Sequence, residues 1–286
     1  MDKKELAKKK IVNLFKDKVQ GINPNLSNSN KTHDGAEGHW LEIQLGKVPD
    51  AKNKADFWGY ECKNDTKSKT TWGDWTANYR IYHNKYFFSA SKMSDNQDQF
   101  VRIFGRPNPK KNSRYSWSGI PVPTKIGEES VFGQSLIADE YGDISIYYSF
   151  SKDTRFNKAL IMPKQMQLDN LLLMKWYGTE KRFQKYKIQA TNNKNIFFHK
   201  SSQSSLEHKV LNKFGEYGWF KCTKDKFGNY NRIEFGDALT YFEWLEYAKT
   251  GNIYFDTGMY EGNTRPYSSW RSNNKFWKTL VTSEYS

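Results

Sequence analysis

The sequence predicts an α/β fold built as one body, and three observations predict it. An amphipathic helix opens the chain, short alternating segments of strand type recur through it, and helical apolar runs are interleaved with them. No internal repeat and no convincing linker breaks the 286 residues, a length that suffices for one sizeable domain or two small ones.

The opening helix is read from "ELAKKKIVNLFKDKV", where Leu6, Ile11, Val12, Leu14, Phe15 and Val19 fall at helical spacing and Lys8, Lys9 and Lys10 fall on the other faces. The lysine run reads as a solvated face rather than a binding site. The polar stretch from Gly21 to Gly35 is a loop, and a second helix over Ala36 to Leu45 buries Trp40, Leu41 and Leu45 while carrying Glu37 and Glu42. "KADFWGYECKND" then predicts two short strands about a turn at Trp58-Gly59. Further strands are expected near "NKYFFSAS" and at "DISIYYSFS", where Ile144, Ile146 and Tyr148 alternate with Ser145 and Tyr147. "RPNPKKNSRYSWSG", residues 106 to 119, is too polar for core and is expected as a loop or excursion on the surface. "QLDNLLLMKWYGTEKRF" and "DALTYFEWLEYAKTGN" both read as buried helices, the latter ending at Gly251. The last segment, "IYFDTGMYEGNTRPYSSWRSNNKFW", reads as a strand, a Gly-rich turn region and a second aromatic-basic strand.

Composition narrows the partners. Lys and Arg number 45 against 31 Asp and Glu, a net charge of +14, which suits nucleic acid or an acidic membrane surface. No apolar run reaches the length of a spanning helix and the N-terminus is charged, so a soluble intracellular protein is expected. Cys62 and Cys222 are the only cysteines, too few for a disulfide framework or a four-cysteine zinc site, and both are expected free in a reducing compartment. Aromatics make up 16% of the chain, which fits either stacking on nucleotides or an aromatic core. His33, His39, His83, His199 and His208 show no metal-ligand spacing.

Chemistry concentrates around residue 60. With a turn at Trp58-Gly59, Asp56 approaches the returning strand, and alternation puts Glu61 and Lys63 on one face with Cys62 on the other. Two carboxylates, a backbone carbonyl and water make the oxygen-rich set that Mg²⁺ prefers, and the lysine can position or deprotonate a water. Taken alone, an acid followed by E-x-K is common on hairpin rims. Its surroundings strengthen it: Trp40-Leu41-Glu42 and Leu45 on a helix, then Ala55-Asp56-Phe57 and Glu61-Cys62-Lys63. That series resembles the PD-(D/E)XK nucleases, in particular their MutH-like branch with the restriction endonucleases MvaI and BcnI, with Ala55 standing where the branch has proline.

The resemblance implies an α/β PD-(D/E)XK core, a mixed sheet flanked by helices, followed by a C-terminal β-rich DNA-recognition element. It implies one nuclease body over 1–286, with a catalytic half over 1–105 and the recognition part and remaining core over 106–286. Asp56 and Glu61, with the Cys62 backbone carbonyl, are then expected to bind Mg²⁺. Lys63 is the expected catalytic lysine and Glu42 the helix carboxylate that supports it. Arg265 and Arg271 fall in the base-reading element, where phosphate contact or a surface salt bridge are equal alternatives to guanine recognition. Asp256 and Glu261 are candidates for accepting from cytosine, and Arg106, Lys110 and Lys111 for contacting DNA. Tyr260 and Trp270 read as supports of that element. The implied activity is type II restriction of double-stranded DNA at a short site, of the CC-x-GG kind, by a monomer in the bacterial cytoplasm paired genetically with a DNA methyltransferase. A mismatch-repair nickase and a non-catalytic DNA-binding module are the alternatives.

Overall fold

The computed structural model of the chain describes residues 2–25, 35–48, 50, 52–191 and 203–286. Most of the loop expected from Gly21 to Gly35, together with His33 and His199, lies outside the described residues. In chain order the elements are α1 (Lys3–Lys18), α2 (Ala36–Gln44), β1 (Tyr60–Asn64), β2 (Lys69–Asp74), β3 (Tyr79–Arg80), α3 (Met93–Phe104), β4 (Arg106–Asn108) and β5 (Arg114–Trp117). Then come β6 (Phe132–Ala138), β7 (Ile144–Asp153), α4 (Lys158–Ile161), β8 (Leu171–Trp176), α5 (Glu180–Thr191), α6 (Leu206–Phe214), β9 (Gly218–Lys224) and β10 (Tyr230–Gly236). The chain closes with α7 (Tyr241–Lys249), β11 (Tyr254–Thr257), β12 (Met259–Tyr260), β13 (Ser268–Asn273), α8 (Asn274–Thr279) and β14 (Ser283–Tyr285). These form two compact units, the first from Met1–Thr70, Lys209–Thr240 and Ser272–Ser286, the second from Thr71–His208 and Tyr241–Arg271.

The first unit is built on a mixed four-stranded sheet ordered β1-β9-β10-β14, in which β1 runs parallel to β9 and the remaining pairs are antiparallel. Parallel neighbours cannot be joined by a tight turn, so a long excursion between β1 and β9 is obligatory. One face of this sheet is apolar. Cys62, Phe220, Cys222, Ile233 and Phe235 pack there against Ala7, Ile11, Val12 and Phe15 of α1 and against Leu41 and Leu45 at α2. The opening helix thus buries the stripe that its spacing predicts, apart from Leu6, which is 40% exposed. The opposite face carries Glu61 and Lys63, in register with Trp219 and Lys221 of β9.

The second unit holds a four-stranded antiparallel sheet ordered β3-β8-β7-β6 and a three-stranded one ordered β12-β5-β4. Its core is aromatic: Trp176, Trp270 and Phe255 meet at centroid distances of 5.2 to 5.7 Å, and Trp244 packs on Trp270 at 5.3 Å. Trp75, Trp117, Trp176, Trp244 and Trp270 here, with Trp219 and Trp277 in the first unit, are all buried, which decides much of the aromatic excess in favour of core. Cys62 and Cys222 are both free, as expected.

Several local expectations change. The turn at Trp58-Gly59 is present, with φ of 46° and 91° at its two central residues, the signature of a two-residue type I′ connection. Only β1 continues from it, because the incoming side is limited to a bridge between Phe57 and Tyr60. "NKYFFSAS" is a turn that buries Phe88 rather than a strand. Residues 106 to 119 take the excursion rather than the loop: β4 and β5 pair as a hairpin with an exposed tip, and Pro107 fits because β4 is an edge strand that need not donate. "QLDNLLLMKWYGTEKRF" splits into β8 and the start of α5, since a short continuous apolar run suits a buried strand as well as a helix.

Gly59 fixes the approach to β1. A Cβ there would lie 2.6 Å from Tyr217 Cδ2 and 2.7 Å from Glu216 Cδ, at a backbone angle that L-residues rarely adopt. Gly59→Ala is therefore expected to lower the unfolding free energy by about 2 kcal/mol. A urea midpoint equal to wild type would contradict this description of the turn.

Candidate active site

The turn and the edge position of β1 together deliver the candidate residues. Asp56 and Phe57 donate their backbone N–H groups to Tyr60 O at 3.0 and 2.9 Å, folding the aspartate back over the strand that follows. Asp56 Oδ2 accepts the backbone N–H of Cys62 at 3.0 Å. A residue's N–H and C=O point to the same edge of a strand, so the Cys62 carbonyl is directed to the Asp56 side, away from β9. Glu61 and Lys63 lie on the polar face, and Lys63 Nζ donates to Glu61 Oε1 at 2.9 Å. Asp56, Glu61 and Lys63 are thus brought together, as the sequence spacing predicts.

Two further lysines enter the site. Lys47, just beyond α2, donates from Nζ to Asp56 Oδ1. Lys213, near the end of α6, donates to Glu61 Oε1 at 2.6 Å, the same oxygen that Lys63 uses. α6 is tied to the approach of Asp56 by Ala55 N–H to Asn212 O at 2.8 Å. A proline at residue 55 has no N–H to give, which accounts physically for alanine at this position. Lys47 lies within the stretch that drew attention in the sequence, yet nothing in its spacing marks it. Lys213 is 152 residues from Glu61 and carries no sequence signal at all.

The charges in this cluster are unevenly tuned. Burial pushes the Glu42 carboxyl up to about 7, with the neighbouring Asp56 and Glu61 charges adding to the rise and Lys47 and Lys213 opposing it. Burial also pulls the Lys63 ammonium below its ordinary value, despite Glu61, and nearby Lys213 adds to the fall. For Lys213 burial acts in the same downward sense, but its contacts with Glu61 and Asp56 prevail and its pKa is raised. Lys63 is therefore the lysine better poised to release a proton. Lys221, beside Lys63 in register, turns instead toward Asp65 at 3.5 Å and Asn274 at 3.4 Å.

The donor set suits a hard divalent cation. Glu61 Oε2 is buried and has no hydrogen-bond partner among the described residues. An orphaned carboxylate oxygen in that setting invites a cation, and Asp56 and the Cys62 carbonyl supply further oxygens. Among the described residues no three His, Cys, Asp or Glu side chains group as metal ligands, so protein donors would leave part of such an ion's shell to water or substrate. His83 is buried against Tyr82 at a centroid distance of 4.9 Å.

The candidate DNA-contacting residues lie in the second unit. Arg106, Lys110 and Lys111 are exposed on the β4–β5 hairpin, whose tip includes Asn112 and Ser113 at positive φ. β12 pairs with β5, Met259 opposite Trp117 and Tyr260 opposite Ser116, so this hairpin and the 254–271 segment share a sheet. Arg114 stacks on Tyr260 at 3.6 Å. Asp256 forms an ion pair with Arg271 at 3.0 Å, and Glu261 receives Arg102 Nε at 2.9 Å, so both acids are engaged by arginine. Arg265 is exposed, and Trp270 is wholly buried as a support of its strand. Among the described residues no helix is long and apolar enough to cross a membrane.

Comparison with known proteins points to restriction endonucleases. The sequence profile described as LlaMI restriction endonuclease matches residues 19–285. The chain is 43% identical over 279 residues to the type II restriction enzyme ScrFI of Lactococcus lactis subsp. cremoris, covering 96% of this chain and 97% of that one. Its fold is similar to that of the restriction endonuclease MvaI in complex with its cognate DNA substrate, with a TM-score of 0.54 at 14% identity over 100% of this chain and 98% of that one. The α/β fold expected from the sequence is observed, and it is shared with that restriction endonuclease.

The raised Glu42 carboxyl gives a pH signature. An unfolded glutamate titrates near 4.5 and the folded Glu42 near 7, so between these values the folded state holds the extra proton. The stability this contributes is fully present below about pH 4.5 and is lost as pH rises through about 7. In EDTA, Glu42→Gln is expected to flatten that decline, read as the difference in unfolding free energy from wild type at pH 5 and pH 8. Parallel pH profiles for the two proteins would contradict the assigned environment.

Proposed function

The chain belongs to the LlaMI restriction endonuclease family, and from that premise we propose that Asp56, Glu61 and Lys63 form its Mg²⁺-dependent centre for cutting double-stranded DNA. The observation that carries the proposal is the buried, unpartnered Glu61 Oε2 beside Asp56 and two lysines. Asp56, Glu61 and the Cys62 carbonyl hold the cation. When bound, it offsets charge on the scissile phosphate and acidifies a water.

The chain's own groups do the rest. Burial destabilises the Lys63 ammonium, and the neutral amine left once it has released a proton orients the attacking water and accepts its proton. Lys213 keeps positive charge on Glu61 Oε1 while Lys63 is engaged with water. Glu42 supports the site through its field on Asp56 and Lys47. The net charge of +14 supplies general attraction to the duplex, and the exposed Arg106, Lys110 and Lys111 of the hairpin contact its backbone.

Sequence reading falls to the segment from Asp256 to Arg271, where Arg265 and Arg271 contact guanine and the acids hold or meet polar base edges. A GC-rich interrupted site of the CC-x-GG kind is the first duplex to offer. The protein acts as a monomer in the bacterial cytoplasm, cutting one strand at a time, with a methyltransferase of the same system protecting host DNA. A single acid-acid-lysine centre among the described residues supports this arrangement.

Asp56→Ala and Lys63→Ala are expected to bind a specific duplex in Ca²⁺ with affinity near that of wild type while cutting at least about a hundredfold more slowly in Mg²⁺. Gel-shift titration and single-turnover cleavage separate the two effects, and cleavage near the wild-type rate by either variant would dismiss the assignment. Arg265→Ala or Arg271→Ala is expected to lose roughly 1–3 kcal/mol of discrimination at one base pair. Equal weakening on specific and random duplexes, with a shallower salt dependence, would assign that arginine to phosphate instead.

A further inference from the structure

The two candidate metal-binding carboxylates are held differently. Glu61 gives only Oε1 to its lysines and keeps Oε2 without a partner among the described residues. Asp56 has both oxygens committed, Oδ1 to the Lys47 ammonium and Oδ2 to the Cys62 N–H. The Oδ2 contact belongs to the folding of the turn onto β1, so Oδ1 is the oxygen with which Asp56 can meet a cation. An ammonium and a divalent ion on one carboxylate oxygen would repel each other at close range in a site largely shielded from water.

A second carboxylate, that of Glu42, lies close enough for its charge to act on Lys47. The Lys47 backbone N–H donates to Glu42 O at 2.8 Å, which fastens the lysine to the end of α2. Glu42 is among the charges acting on Lys47, and Lys47 among those acting on Glu42. Among the described residues no hydrogen bond engages the Glu42 carboxylate, unlike those of Asp56 and Glu61, so it can receive an ammonium without losing a partner there.

Resting on the proposed function, we infer that Lys47 is a positioning residue that competes with the metal: it pairs with Asp56 Oδ1 and passes to Glu42 when Asp56 takes the cation. Asp56 is then never buried without a positive partner, and the cation binds only by displacing one. Lys47 thereby sets how much divalent metal the site requires. A merely structural lysine would have the opposite effect, because its removal would loosen Asp56 and weaken metal binding.

The test is direct Mn²⁺ titration of the DNA-free protein, followed by the loss of the free-ion EPR signal. Lys47→Met, which keeps the stem and removes the charge, is expected to bind Mn²⁺ about tenfold more tightly than wild type. Lys47→Arg, which keeps the charge, is expected to bind within a few-fold of wild type. Thermal unfolding in EDTA should show Lys47→Met less stable than wild type, with the difference closing as Mn²⁺ is added. Equal or weaker Mn²⁺ binding by a folded Lys47→Met, alongside wild-type binding that Asp56→Asn abolishes, would overturn the competition while leaving the cutting centre in place. Absence of wild-type binding, or binding indifferent to Asp56→Asn, would instead overturn the metal assignment itself and the competition with it.

Discussion

Glu61 is a carboxylate almost wholly removed from water on an edge strand, and two lysines of the first unit converge on one of its oxygens. A buried carboxylate without a partner is costly enough that a protein either neutralises it or surrounds it with donors. Here Lys63 comes from the same strand and Lys213 from α6, and both reach Oε1. α6 is fastened to the chain just before Asp56 by the Ala55 N–H to Asn212 O bond, which holds Lys213 beside the site. Only Oε2 is left without a partner among the described residues.

β1 separates two environments by alternation alone. Cys62 points into a core made by α1, α2, β9 and β10, while Glu61 and Lys63 point to the opposite face. The apolar side makes the strand rigid, and a rigid strand holds carboxylate and lysine at fixed separation without a loop to position either. The same burial that holds Lys63 lowers its hold on its proton, so packing and chemistry share one cause. Trp58 and Gly59 contribute by conformation: two successive positive φ angles turn the chain within two residues and set Asp56 against the strand it serves.

Much of this was legible in the sequence because it depends on short-range periodicity. The turn at Trp58-Gly59, the opposite faces of Cys62 and Lys63, the helix bearing Glu42 and the alternating strand from Ile144 all follow from spacing over a few residues. The misreadings also have local causes. Leu171 to Met174 forms a short continuous apolar run within β8, and helix and strand cannot be told apart by period in such a run. Pro107 and Pro109 left a loop open beside the excursion, but an edge strand and a turn tolerate both. Lys213 was invisible because its role arises only when α6 folds against the approach to β1. Lys47 was visible but indistinct, one of several lysines in a basic stretch, until its ammonium was located on Asp56. The pairing of Asp256 with Arg271 and of Glu261 with Arg102 likewise depends on strand pairing and helix packing that the sequence does not announce.

The most direct test of the central claim is the position of a bound cation. Crystals of the protein with a specific duplex and Mn²⁺, measured for anomalous scattering, should place the ion between Asp56 and Glu61, with Glu61 Oε2 and the Cys62 carbonyl oxygen among its ligands. An ion bound elsewhere, with Asp56 and Glu61 still held by their lysines, would contradict it.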